Sequence, residues 1–596
     1  VRIVWPICFL LVSSVVWQSA TAQTETAGRQ ANVVDATDTG ESGAASPQAI
    51  PPSYRPASPI RITSALGSTY VPMDSWVYPA LDRLQALGYL DTAFLGLRPW
   101  TRLSIAHMLQ QTADKLDANP EDEEARDLYV GLQEEFSADE ESPYGRTVHA
   151  ELDSVYELPR GINGTPLNDS FHLGQTIVND YGRPYQGGFN NYVGVSGRAE
   201  AGRFSAYFRG EYQHAPSAAG YSLPLAEYLS SLDFIDFATN PIQDTIPLGP
   251  IASVNTFRVM EADIAYHLLG HEISFGKHDQ WLGPAQGGAM SWSTNAENIY
   301  AFEINRIEPL RIPLLSRITG PFRYEFFVGS LKGHTAPNDP WVHMEKVSLK
   351  PTTNLEFGFE RTVIWGGKGH VPITIHTFLR SFFSVQNVSA AEKFSRKDPG
   401  ARFGSFDFSY RLPFVRKWLT LYSDSAVHDD VNPISAPRRS AVRPGIYLSH
   451  FPGISHLDFR VEGASTDPVS DEGENGRFIY WEGVQRQGTT NKGNLFGDAI
   501  GRDAKGGQAW LTYHLSPSEL LQVSYRNVKV DQKFIVGGTT QNDYQFAVTK
   551  RVLDNIEIKG WVQYERWQAP VYKVGPQDDT TIQAQITWYP KKHKHF

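Results

Sequence analysis

From about Arg146 to Tyr589, polar and apolar residues alternate with a period of two. No other feature restricts the fold as strongly, because this period sends successive side chains to opposite faces of a strand. Val193, Val195, Gly197 and Ala199 share one face, with Arg198 and Glu200 on the other. After a turn at Gly202, Phe204, Ala206, Phe208 and Tyr212 oppose Arg203, Arg209 and Glu211. The split recurs as Met260, Ala262 and Ile264 against Glu261 and Asp263, and as Tyr324, Phe326 and Val328 against Arg323 and Glu325. Towards the end of the chain, Ile556, Ile558, Val562 and Tyr564 stand against Glu557, Lys559, Gln563 and Glu565. In the last such segment, Ile582, Ala584, Ile586 and Trp588 oppose Gln583, Gln585 and Thr587. A soluble β-sandwich produces the same alternation, so alternation alone leaves two architectures open.

Connection lengths separate them. Short links at Gly202, Leu268–Gly270, Pro351–Thr353, Pro413–Lys417, Pro452–Ser455, Ser516–Ser518 and Asp554 alternate with long ones near 213–254, 279–298, 364–400, 428–443 and 464–506. Short turns on one side and long loops on the other are the pattern of an outer-membrane β-barrel. Counting back from the last segment gives about seventeen strands as far as Tyr192. One more is needed for both ends to lie on the short-turn side, and it must come from Thr147–Tyr156 or Phe171–Asp180. A barrel over 145–590 is therefore expected. After the first residues no run of roughly eighteen apolar residues occurs, so a membrane span would be made of strands.

Ahead of the barrel the pattern changes. Arg2, the apolar run Ile3–Trp17 and Ala20-Thr21-Ala22 read as a signal peptide over 1–22. Residues 23–64 are rich in Ala, Thr, Ser, Gly and Pro and read as a disordered linker. Over 65–140 the period becomes helical. Asp74 or Ser75 is expected to cap a helix carrying Val77, Leu81 and Leu84, ended by Gly88. Thr101 caps a second with Ile105, Met108 and Leu109 inward, and Asn119-Pro120 starts a third with Leu128, Leu132 and Phe136. A small helical bundle is predicted.

The single cysteine, Cys8, falls in the signal segment, so no disulfide framework or thiolate metal site is expected in the mature chain. The 54 basic and 65 acidic residues give a net charge of −11, which argues against a nucleic-acid partner.

The least regular stretch is Gly276–Ala296. Trp281 and Trp292 bracket Gly283, Pro284, Gly287 and Gly288, and His278, Asp279, Gln280, Ser291, Ser293, Thr294 and Asn295 surround them. So many Gly and Pro exclude a regular element. The stretch reads as a structural plug, as a ligand-contacting loop, or as both. The pattern Gly276-Lys277-x-Asp279-Gln280-Trp281-x-Gly283-Pro284, followed by Ser293-x-Asn295-Ala296, resembles the signature of the capsule assembly Wzi family of outer-membrane proteins. Tyr78-x-x-Leu81-x-x-Leu84-x-x-x-Gly88, Arg98-Pro99, Glu360-Arg361-Thr362 with Gly366-Gly367, and Gly493 to Asp498 continuing to Asp503 extend the likeness. Leu282 departs from it, since a second Trp is common there. The resemblance implies a barrel of about eighteen strands, a helical bundle at its periplasmic end, and a non-enzymatic role in organising capsular polysaccharide.

Several chemical constellations compete with that role. His271-Glu272 opens like a zinc-protease motif, but Phe275 stands where the second His is required. His278 and Asp279 make a metal pair only with a third ligand. Glu261 and Asp263 share a face as a glycosidase pair would, yet barrel-lining acids are more often salt-bridged or solvated. No Gly-x-Ser-x-Gly elbow or P-loop occurs, and no ordered Ser and His pair marks a lipase site. Pyranose faces pack on Trp, and hydroxyls need fixed amides and charges. The expected polysaccharide contacts are Asp279, Gln280, Trp281, Trp292, Asn295, Arg361, Trp365, Trp481 and Asn494. No cofactor, metal or catalytic residue is expected. The expected partners are capsular or extracellular polysaccharide and outer-membrane lipid or lipopolysaccharide, around a monomer in the outer membrane. The alternatives are a porin or substrate-selective channel and, behind it, an outer-membrane hydrolase.

Overall fold

The computed structural model describes residues 66–140, 148–385, 388–415, 417–428, 439–451, 453–468 and 475–590. The expected signal and linker, Cys8, and much of the 428–443 loop lie outside the described residues.

Eighteen strands form one closed sheet. They are β1 (His149–Asn163), β2 (Gly188–Ala201), β3 (Phe204–Ala215), β4 (Val254–Leu268), β5 (His271–Lys277), β6 (Ala301–Arg306), β7 (Phe322–Ser330), β8 (Trp341–Thr352) and β9 (Leu355–Trp365). The second half comprises β10 (Ala401–Arg411), β11 (Leu419–His428), β12 (Ala441–Leu448), β13 (Leu457–Ser465), β14 (Ala504–Ser516), β15 (Glu519–Val530), β16 (Thr539–Leu553), β17 (Ile556–Gln568) and β18 (Gln577–Trp588). Each strand pairs antiparallel with the next, and β18 returns to β1 in the register Val155↔Trp588 to Asn163↔Thr580. The strand that sequence left between two candidates is therefore the earlier one. Phe171–Asp180 lies inside the long β1–β2 connection, where Phe171 is fully buried.

The alternation sorts as a membrane barrel requires. Val193, Val195, Phe208, Tyr212, Val523, Phe546, Val562, Ile582 and Ile586 are exposed on the outer wall, while Arg209, Glu211, Asp543, Gln563 and Glu565 are buried within. Among the described residues no helix is long and apolar enough to cross a membrane. Met260 departs from the expected face. The β3–β4 register shifts between Arg209 and Gly210, skipping Met260 opposite them. This bulge leaves Met260 2% exposed, with its sulfur beside Gln213 and Arg258.

Three helices precede the barrel: α1 (Val77–Ala86), α2 (Arg102–Asp117) and α3 (Glu123–Glu140). Their predicted apolar stripes meet in one core that includes Leu81, Leu84, Ile105, Leu109, Leu132 and Phe136. Thr101 caps α2 as expected, its hydroxyl accepting from Ser104 N at 3.2 Å. The other two caps differ. Trp76 occupies the α1 cap position without a side-chain bond; of the two expected caps, Ser75 still accepts from Val77 N through its hydroxyl at 3.3 Å, and Asp74 accepts from Arg209 at 2.7 and 3.2 Å instead. The third helix starts at Glu123, beyond Asn119-Pro120, and Asp122 Oδ1 accepts from Ala125 N at 3.2 Å.

The bundle is bound to the short-turn ends of the strands. Arg83 pairs with Asp458 at the start of β13 (2.9 Å). Glu356 in β9 accepts from Leu95 N and Gly96 N at 2.9 Å each. Lys350 near the end of β8 donates to Asp91 O at 2.8 Å.

Candidate functional site

Residues 278–300 leave the wall where the short strand β5 ends at Lys277, meet the bundle at once and then fill the lumen. Met73 N donates to Asp279 Oδ2 at 2.8 Å, and Trp281 and Arg98 exchange backbone bonds of 3.0 and 3.2 Å. His278 stacks on Tyr70 with ring centroids 4.7 Å apart and pairs with Glu303 at 2.8 Å. Burial alone would lower the His278 pKa. The Glu303 carboxylate outweighs it and raises the value to about 10, so the imidazole is a cation at neutral pH.

A buried segment with no sheet ladder must find other partners for its amides. Here the lumen wall provides them as carboxylates. Glu462 on β13 accepts from Gln286 N (2.7 Å) and Gly287 N (3.0 Å), and Asp424 on β11 accepts from Met290 N (2.7 Å). Lys346 on β8 donates to Leu282 O at 3.0 Å, and Ser291 bonds Glu360 on β9. The glycines allow this approach. A Cβ at Gly283 would lie 2.1 Å from Asp424 Oδ2, and one at Gly287 would lie 2.5 Å from an Arg443 nitrogen.

Two further long loops close over the plug. From the β1–β2 loop, Asn179 N donates to Asn295 Oδ1 (3.0 Å), Tyr181 N to Thr294 O (2.7 Å) and Tyr181 OH to Asp279 (3.2 Å). From the β13–β14 loop, Phe496 O accepts from Ser293 N (2.6 Å), and Asp498 pairs with Arg443 (2.5 Å). Above them, His172 is held between Asp169 (3.0 Å) and Asp233 (2.9 Å), and Asp233 also pairs with Arg502 (2.6 Å). Burial lowers the His172 pKa, but the two carboxylates override it and raise the value to about 9. Between the Thr176–Asp180 segment and the inner faces of β14–β18 and β1, a polar cavity of about 250 Å³ persists.

Seven of the nine expected contact residues, all but Arg361 and Trp365, occupy this interior. All but Asn494 are at least nine-tenths buried, and Asn494 is half-buried. Gln280 donates to Glu303 (2.9 Å) and Trp281 Nε1 to Ala285 O (3.1 Å). Trp292 donates to Thr362 (2.9 Å) and stacks on Phe496 at 3.9 Å. Asn295 donates to Gln175 Oε1 and Leu495 O, and Trp481 to Asp233 O. These side chains are the internal joints of the plug, so the structural reading of the stretch is the one the geometry carries.

Arg361 and Trp365 are elsewhere. Register places Arg361 opposite Glu345 and Glu345 opposite Phe326, all on the outer wall, whereas Glu360, Lys346 and Glu325 face inward. A helix from the β9–β10 loop, Ile375–Phe383, covers both residues. Arg361 donates to the carbonyls of Phe382 (2.6 Å) and Ser384 (3.3 Å), and Trp365 packs 5.8 Å from Phe378.

Sequence reading named Trp481 but missed the residues around it at the rim of the long loops. Phe234, 53% exposed, lies 5.4 Å from the Trp481 ring, and Phe478 lies 5.2 Å from the same ring. The Arg477 guanidinium covers the Phe478 ring at 4.9 Å, and Arg486 donates to Phe234 O. Aromatic residues beside arginine, scattered over two loops, were the available signal. Of the competing constellations, Glu261 lies 3.6 Å from Arg209 in an ion pair. Among the described residues no group of three or more His, Cys, Asp and Glu is arranged to hold a metal ion.

A closed barrel with an apolar exterior and a filled, charged interior defines a membrane-spanning β-barrel whose two mouths are sealed by different means. The family model for the capsule assembly protein Wzi matches residues 159–582, and the chain belongs to that family. It superposes on Wzi of Escherichia coli with a TM-score of 0.63 at 16% identity, covering 88% of this chain and 99% of that one. That protein is an outer membrane protein involved in group 1 capsule assembly and a carbohydrate-binding β-barrel. An uncharacterised 55.8 kDa protein from the cps region of Klebsiella pneumoniae is 24% identical over 195 residues. The match spans 33% of this chain and 37% of that protein.

Proposed function

We propose that this barrel resides in the outer membrane and binds and organises capsular or exported polysaccharide at the cell surface without cleaving it. The helical bundle faces the periplasm in this reading, and the protein acts as a monomer. The observation that carries it is the rim pair Phe234 and Phe478, packed on the buried Trp481 beside Arg477 and Arg486 and mounted over a lumen already filled by protein. Aromatic faces stack on pyranose rings and arginines orient carboxylates or hydroxyls. Asp279, Gln280, Trp281, Trp292, Asn295 and Asn494 support the rim from beneath by fixing the loops that present it. Affinity for one repeat unit is weak, and a long polymer touching several loops gains through multivalency.

Phe234→Ala combined with Arg486→Gln, in protein that still shows heat-modifiable migration, is expected to release polymer from the cell surface while total polymer stays constant. Full retention of surface glycan would sink the rim as the binding surface, and shortening of the polymer by purified protein would bring back the hydrolase. With both mouths occupied, the intact protein is expected to show little conductance in a planar bilayer. Large steady currents would favour a channel.

A further inference from the structure

The Ile375–Phe383 helix, here α4, lies outside the barrel. Phe378 sits 6.3 Å from Phe326 and 5.5 Å from His343, and Phe382 sits 5.9 Å from each, all measured between ring centroids. Phe326, Glu345 and Arg361 share the lipid-side register of β7, β8 and β9. Arg361 lies four residues before the strand end at Trp365, about 13 Å along the strand. Its guanidinium binds the last carbonyls of α4, so the helix C-terminus reaches down the wall by that distance. This is a strong anchor, because a cation at a helix C-terminus satisfies orphan carbonyls and complements the dipole. Ser381 Oγ meets His343 Nε2 at 2.8 Å, His343 Nδ1 meets Glu345 Oε1 at 2.5 Å, and Glu345 Oε2 meets Arg361 Nε at 3.1 Å. Ser381 and His343 are fully buried, so this chain clamps the helix to the wall and does not face a substrate.

The helix still shows an uncovered apolar stripe. Ile375 (79% exposed), Leu379 (45%) and Phe383 (67%) stand at i, i+4 and i+8. At 100° per residue this stripe centres about a third of a turn from the wall-facing Phe378, Ser381 and Phe382, and Arg380 lies about another third beyond it. The rest of the loop continues the pattern, with Val385 and Phe394 exposed and Arg396 and Lys397 exposed beside them. The carboxylates nearby are engaged: Glu392 caps Ser389, and Asp398 pairs with His370 at 2.9 Å.

We infer that α4 is an interfacial helix that docks the phosphorylated, acylated glycolipid of the outer leaflet. Acyl chains cover Ile375, Leu379 and Phe383, and the headgroup phosphates meet Arg380, Arg396 and Lys397. Two observations select this occupant. The stripe is continuous with the outer wall, which lipid covers, and the exposed basic side chains Arg380, Arg396 and Lys397 flank it. The inference rests on the outer-membrane placement proposed above, not on glycan binding.

The test uses the full barrel in bilayers of phosphorylated glycolipid, with single cysteines at 379, 383 and 380 carrying a bimane label. Brominated acyl chains are expected to quench the label at 379 and 383 several-fold more than at 380. Arg380→Gln with Arg396→Gln and Lys397→Gln is expected to reduce co-purified glycolipid several-fold while heat-modifiable migration is unchanged. Quenching at 379 and 383 by aqueous iodide, with none from brominated lipid, would place the helix above the membrane and overturn the inference. Release of fatty acid that stops in Ser381→Ala would also overturn it, by making the clamp a hydrolytic centre. Failure of the rim variant to release polymer leaves the quenching result intact, so the two readings fail separately.

Discussion

The two closures of this barrel are built on different physics. The bundle at the short-turn mouth owes its cohesion to one apolar core in which Leu81, Leu84, Ile105 and Leu132 are at most 0% exposed, with ion pairs at its edge. The plug divides its apolar contacts among separate clusters shared with the wall and is tied to that wall by buried carboxylates that hold its backbone amides. An apolar core tolerates the loss of one contact by partial collapse. A network of buried charges does not, because each removed partner leaves another group unsatisfied.

The sharpest way to expose the difference is Glu462→Ala. It leaves Arg443 with Asp498 as its remaining carboxylate partner and removes the acceptor of Gln286 N, Gly287 N and Tyr422 OH. Each buried donor left without an acceptor costs about 1–3 kcal/mol, so limited proteolysis is expected to cut within 278–300 while 66–140 stays protected. In the bundle, Leu84→Ala removes a fully buried side chain and is expected to cost about 2–5 kcal/mol. Cleavage should then appear in 66–140, with the plug intact. Simultaneous loss of both regions from either variant would show that the closures are one cooperative unit.

Acid and base separate the two again. The folded His172 pKa, about 9, lies above the ordinary value near 6.5, so its contribution is fully present below about 6.5 and is lost as pH rises through 9. The plug is expected to lose at most about 3 kcal/mol between those limits. Protection factors in 164–187, taken relative to the intrinsic base-catalysed exchange rate, should fall over this window in the parent protein and remain flat in His172→Gln. The smallest expected effect is Thr101→Ala, which removes the α2 cap and should lower bundle stability by about 1 kcal/mol in a urea titration, with no change in plug exchange.

The contrast also explains what could be read from the chain. Periodicity announces Leu81, Leu84 and Ile105, because helix packing is written into nearby residues. It announces the strands for the same reason. The plug is fixed by bonds between residues more than a hundred positions apart, such as Asn179 with Asn295 and Gly287 with Glu462. Residue type alone marked Asp279, Trp292 and Asn295 as polar or aromatic and suited to sugar, and did not show that protein groups already engage them. For Arg361 the step left out was a different one. It shares its face with Phe357 and Phe359, and counting parity would have placed it on the outer wall. The amphipathic run Ile375–Phe383, within what reads as a long loop, would then have supplied the cover it needs.

The pairing of β18 with β1 has a consequence for damage to the chain. β18 is hydrogen-bonded on both edges, to β17 and to β1, and its ladder to β1 is interrupted at Leu158 and Pro159. A premature stop before Gln577 would therefore do more than shorten the protein. It would leave two long strands, β17 and β1, each with a bare edge in lipid, and bare edges recruit other chains. The ring has no partial form that is merely smaller, so late truncations are expected to behave as aggregation lesions, however little sequence they remove.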